Sequence, residues 1–116
     1  MKSTLNLNDR LVRFAGEAIF FASTIDSSSA ADYYNHQLIR SSDRSAKFYS
    51  KAQSMKVRKP FRQQMTRVLE ALRVSKTTLK IMRYASFGDQ KKLTWLLEEV
   101  EKLIAMGKSV RKGGTG

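Results

Sequence analysis

The side chains of this 116-residue chain that could do chemistry are mostly cations, and they are crowded together. Between Arg40 and Arg83 stand thirteen lysines and arginines against two acids, Asp43 and Glu70, so this stretch holds almost all of the net charge of +12. A field that concentrated draws polyanions and repels a second copy of itself. The chemistry on offer is the binding of phosphate or another anion.

Groups suited to catalysis are sparse. There is one histidine, His36, and no cysteine, so a metal cluster and a nucleophilic triad both lack their parts. Carboxylates on adjacent helical turns occur at Glu98 and Glu101, beside Lys102. That spacing reads as a solvated helix face rather than a general acid/base pair. Gly113-Gly114-Thr115-Gly116 has no following helix and no lysine at the phosphate-loop position. The expectation is a protein that is not an enzyme and holds neither metal nor cofactor. The lack of cysteine fits a reducing cytoplasm. No apolar run reaches signal-peptide length, and the cluster Ala18 to Ala22 is far short of the ~20 residues that cross a bilayer. A soluble cytoplasmic protein without a membrane role is expected.

The elements that must position the cations are helices. Proline occurs once, at Pro60, and glycine is scarce before the C-terminus. Asn8 can cap a first helix to about Ile25, with Leu11, Phe14, Ala18, Phe21 and Ile25 at helical spacing and Gly16 permitting a close neighbour. Asp26-Ser27-Ser28-Ser29 ends it and offers caps for a second helix, about Ala30 to Ser54, whose inward seam is Tyr34, Leu38, Ser41, Ser45, Phe48 and Ala52. Pro60 suits the first turn of a third helix after a joint at about 55 to 59. Its seam is Phe61, Met65, Val68, Leu72, Leu79 and Met82, interrupted by Ser75, and Gly88 is the expected left-handed stop. Asp89 can cap a fourth helix with Leu93, Leu96, Leu97, Val100, Leu103 and Ile104 inward and Glu98, Glu99 and Glu101 flanking. The fold class is all-α, an antiparallel up-down-up-down four-helix bundle. It forms one domain over residues 1–112, with a frayed end from Arg111 and a flexible tail at 113–116.

Placed on these helices, the charge forms two rails. Arg40, Arg44, Lys47 and Lys51 fall within about 60° of one another on helix two. Arg62, Arg73, Lys76 and Lys80 span a similar arc on helix three, with Arg83 beside it, and the joint adds Lys56, Arg58 and Lys59. Cations just before a helix N-terminus oppose the helix dipole and fit better with a phosphate present; the alternative is that Lys56 compensates the end of helix two and the others are solvated. Solvated faces usually mix signs, and these rails hold almost no acid. Tyr33, Phe48 and Tyr49 are candidates for base stacking, though packing is the favoured role for all three. A second stripe on helix two, Ile39, Ser42, Ala46 and Tyr49, reads either as a self-association surface or as a broad core contact.

Gln37-Leu38-Ile39-Arg40-Ser41-Ser42, followed by Tyr49-Ser50-Lys51-Ala52-Gln53, resembles the second helix of the four-helix-bundle proteins encoded in 23S rRNA intervening sequences. Phe61, Val68-Leu69, Arg73 and Leu79-Lys80-Ile81-Met82 fit the third helix of that family, and the likeness runs over about residues 8 to 110. The chain departs from the pattern toward base: Phe48 and Lys51 stand where many members have asparagine and glutamate, and Ala71 and Val74 where glutamates are usual. The resemblance implies a bundle that assembles into a ring, typically a pentamer. One branch looks like the accessory protein of diversity-generating retroelements, a basic barrel that binds nucleic acid and the reverse transcriptase. The function expected is non-enzymatic binding of nucleic acid, RNA favoured over DNA, through phosphate contacts of helices two and three. The alternative is an adaptor that docks a protein partner such as a reverse transcriptase.

Overall fold

The computed structural model describes residues 6–113, all of whose regular elements are helices: α1 Leu7–Ser23, α2 Ser29–Gln53, α3 Arg58–Tyr84 and α4 Gln90–Lys112. Caps account for most of the starts. Asn6, two residues earlier than expected, accepts the Asp9 amide at 2.8 Å, and this earlier start carries Leu7 into the core. Ser28 caps α2, and Asp89 takes the amides of Lys91 and Lys92. The start of α3 has no side-chain cap and no acid in its first turn.

Each helix packs on its neighbour in sequence and α1 closes the ring against α4, and among the described residues no two backbones approach closely across a diagonal. Short joints force the neighbours antiparallel, so the chain is the up-down-up-down four-helix bundle that its periodicity predicts. The thinnest dimension, 19 Å, is two helix layers, and the longest is 45 Å, a little more than the ~40 Å of α3, the longest helix. Phe14 and Phe21 from α1, Leu38 from α2, Met65, Leu72 and Leu79 from α3 and Leu96 and Leu103 from α4 fill the centre without exposure. Burying each stabilises the fold by about 1.5–3 kcal/mol.

Several expectations need correction. On α2 the inward aromatic is Tyr49, 7% exposed, while Phe48 is half-buried at the edge. Tyr49 and Ser42 are buried in the core of the single chain, so that half of the second stripe is a bundle contact, while Ile39 and Ala46 stay partly exposed. Burial pushes the Tyr49 phenol above its usual pKa and keeps it neutral. Gly16 is exposed, with open space where a Cβ would stand; the glycine that admits a close neighbour is Gly107, whose Cβ would meet Leu69 Cδ2 at 2.9 Å. The left-handed stop after α3 is Ser86, φ 60°, because the Ser86 amide bonds Arg83 and the Phe87 amide bonds Met82, the Schellman pattern. Gly88, two residues on, is left-handed as expected, φ 69°, and is needed for space as well, since a Cβ there would lie 2.8 Å from Ile25. Arg111 and Lys112 form the last turn of α4, closed by Gly113 at φ 115°. The rest of the expected tail, 114–116, lies outside the described residues.

Glu99 is the largest surprise, because an acid expected to flank the core is 4% exposed. Arg10 on α1 grips it with two charge-assisted bonds, Nε to Oε2 at 3.0 Å and Nη2 to Oε1 at 2.9 Å, and Arg13 adds a contact at 3.7 Å. The Glu99 carboxylate holds the Arg10 guanidinium above its ordinary pKa. Glu99 is the deeper partner. Replacing Arg10 by Met strands a buried carboxylate and should cost about 3–5 kcal/mol, whereas Glu99→Met leaves an arginine that can reach solvent and should cost less. Urea unfolding of both variants and the double variant checks this, and equal costs for the two single changes would contradict it.

Candidate nucleic-acid interface

The basic helices α2 and α3 can lie side by side because the seam between them is made of small side chains. Ser41 and Ser75, both buried, share a hydrogen bond of 2.6 Å across it. One turn from the end of the seam, the buried Gln64 donates from Nε2 to the Phe48 carbonyl at 3.1 Å. Above Ser41 and Ala71 the helices part into a groove of about 510 Å³. Arg40 and Arg44 from α2 and Arg67 from α3 line it, with Phe48 and Val74 as apolar surface and Glu70 as its acid. All three arginines are exposed, and none takes part in an ion pair among the described residues.

The two rails do not face each other. Arg62 and Arg67 stand about 140° apart on α3, and only Arg67 turns toward α2. The Arg62 side of α3 turns toward α4. There Lys76 pairs with Glu101 at 2.7 Å. Lys76 holds the Glu101 carboxyl below the usual carboxylate range, with Lys80 and Lys108 adding to the effect. This bridge is largely exposed, so it contributes little to stability, but it offsets part of the charge of the rail.

The remaining expected residues are distributed around this frame. Arg58, Lys59 and Arg62 share a second groove with Arg111, at the start of α3 and the end of α4. Arg58 and Lys59 belong to the first turn of α3 rather than to the joint. Arg58 donates to the Lys112 carbonyl at 3.1 Å and Arg111 to Thr66 at 3.3 Å, so two of these cations close off a helix end or brace a neighbour. Lys47 pairs with Asp43 one turn away at 3.2 Å. Lys51 and Arg83 sit in last turns, where the helix dipole favours them. Arg73 stands with Val74, Thr77 and Thr78 on the outer face of α3, and Lys56 is exposed in the joint.

Two residues escaped the sequence reading. Arg67 falls off the basic arc of helix three, and only the position of α2 gives it company. Arg111 sat in a stretch read as frayed. Among the described residues no cluster of His, Asp or Glu could hold a metal ion, and no helix is long and apolar enough to cross a membrane.

The seam can be tested directly. Ser41→Ala strands the buried Ser75 hydroxyl and should cost about 1–2 kcal/mol, Ser75→Ala should cost less because Ser41 Oγ still donates to the Leu38 carbonyl at 3.3 Å, and the double variant should cost clearly less than the two costs added. Additive costs in urea unfolding would mean that the 2.6 Å bond does not couple the helices. No family model matches this chain, and no curated protein matches it.

Proposed function

We propose that this protein is a non-enzymatic basic bundle that binds structured RNA, in preference to DNA, mainly through phosphate contacts of α2 and α3. The observation that carries the reading is the set of exposed arginines, Arg40, Arg44 and Arg67, lining one groove from two helices without an ion pair among the described residues. Arginine forks suit phosphate oxygens, and cations left unpaired keep their field for a ligand. The basic second groove, with Arg58, Lys59, Arg62 and Arg111, extends the surface along α3. RNA is favoured because the α2–α3 groove has apolar surface between its cations, which suits the unstacked bases that RNA presents in loops.

The chain acts as a homo-oligomer in this reading, and the ring of five comes from the family resemblance. With Ser42 and Tyr49 of the second α2 stripe buried in the bundle, the contact falls to α1, which exposes Val12, Ile19 and Phe20 and carries Asp9 and Glu17 against Arg10 and Arg13. A charge-balanced apolar face is where copies of so basic a chain can meet. Five copies would bring about +60 together, a field that a polyanion relieves.

Two triple reversals separate the grooves. Arg40→Glu, Arg44→Glu and Arg67→Glu together should weaken binding to a structured RNA by about a hundredfold or more at ~100 mM salt, with helicity unchanged. Arg62→Glu, Arg73→Glu and Lys80→Glu should cost about tenfold, because that side of α3 is offset by Glu101. Fluorescence anisotropy across a salt series measures both. Unchanged RNA affinity in the first triple variant would contradict the proposal, and feeble binding of the native protein to free RNA with firm capture of one acidic protein would favour the adaptor.

A further inference from the structure

The α2–α3 groove is more than a patch of charge. It has an aromatic side chain, an acid and three arginines, and phosphate binding alone explains only the last. Phe48 is half-buried, packed on the core along one edge and open to the groove on another. Glu70 is harder to explain. Of the two acids between Arg40 and Arg83, Asp43 is engaged by Lys47 at 3.2 Å. Glu70 lies in one groove with Arg40, Arg44 and Arg67, yet comes within 4.0 Å of no cation among the described residues. A bare carboxylate weakens a phosphate site, so its presence points to a ligand that also offers hydrogen-bond donors.

We infer that this groove holds one unpaired guanine of an RNA loop, stacked on Phe48, with its Watson–Crick edge on Glu70. Guanine alone among the four bases presents two adjacent donors there, N1–H and the N2 amino group, which match the two oxygens of a carboxylate. Adenine, cytosine and uracil each pair a donor with acceptors and would leave one oxygen of Glu70 facing an acceptor. The groove arginines serve the rest of the nucleotide: one fork fits guanine O6 and N7, and the others take the flanking phosphates. A base face is apolar and stacks on phenylalanine whatever its edge carries, so Phe48 supplies affinity and Glu70 the choice of base. The volume, about 510 Å³, falls within the range of small-ligand sites. This inference rests on the RNA-binding reading above.

The test uses the whole protein and labelled RNA hairpins with a guanine in the loop, the same hairpins with adenine there, a fully paired duplex, the matching DNA hairpin and free guanosine monophosphate. The guanine loop should bind about tenfold tighter than the adenine loop or the duplex. Glu70→Gln, an exposed and isosteric change, should abolish the guanine preference without weakening duplex binding. Phe48→Leu should weaken loop binding about tenfold and spare the duplex, with its helicity checked by circular dichroism. Equal affinity for both loops and the duplex, unaltered by Glu70→Gln, would overturn the guanine pocket and leave the phosphate-binding reading intact. A DNA hairpin or free nucleotide that matches the RNA loop would overturn the assignment to RNA. Failure to bind any of the RNAs at ~50 mM salt would remove both readings.

Discussion

Everything proposed for this molecule depends on two strongly basic helices lying side by side. Like charges on adjacent helices repel, so the α2–α3 seam must be held from within. Small side chains let the backbones approach, and the Ser41–Ser75 bond at 2.6 Å and the Gln64 bond to the Phe48 carbonyl at 3.1 Å tie them where water cannot compete. Repulsion is also reduced by orientation. The α2 rail opens toward the groove, while the Arg62–Lys80 side of α3 turns to α4 and meets Glu101.

The opposite half of the bundle is built from other materials. Helices α1 and α4 meet through apolar packing and the Arg10–Glu99 pair, in which a buried acid is satisfied by a fork from the neighbouring helix. Such a pair adds direction more than energy: it fixes which turn of α1 lies against which turn of α4. On α1 itself two acids, Asp9 and Glu17, stand against two arginines, Arg10 and Arg13. Charge is therefore uneven between these two helices: α1 is balanced and partly apolar on its exposed side, whereas α4 keeps six cations against three acids.

What was legible beforehand follows from the range of the forces involved. Asp89 and Ser28 cap their helices by bonds to amides two or three residues away, so their roles can be read locally. The four helices follow from apolar spacing for the same reason. Ser86 was missed because glycine is the usual left-handed residue, while here the position is set by two backbone bonds that a serine tolerates. Glu99 was misplaced because its partner is 89 residues away in sequence. The facing of the rails is the clearest case. Periodicity shows which residues share a face of a helix, but the direction of that face is decided by its neighbours, so Arg67 gains its meaning only beside Arg40 and Arg44.

The central claim is that RNA meets this protein in the α2–α3 groove. The most direct measurement is a titration of nitrogen-15-labelled protein with a structured RNA, following the side-chain Nε–Hε signals of its arginines by nuclear magnetic resonance. The account predicts that the signals of Arg40, Arg44 and Arg67 move first and furthest, with those of Arg58, Arg62 and Arg111 next and Arg10 unmoved in its bond to Glu99. Movement spread evenly over all exposed arginines, or confined to the far side of the bundle, would contradict it.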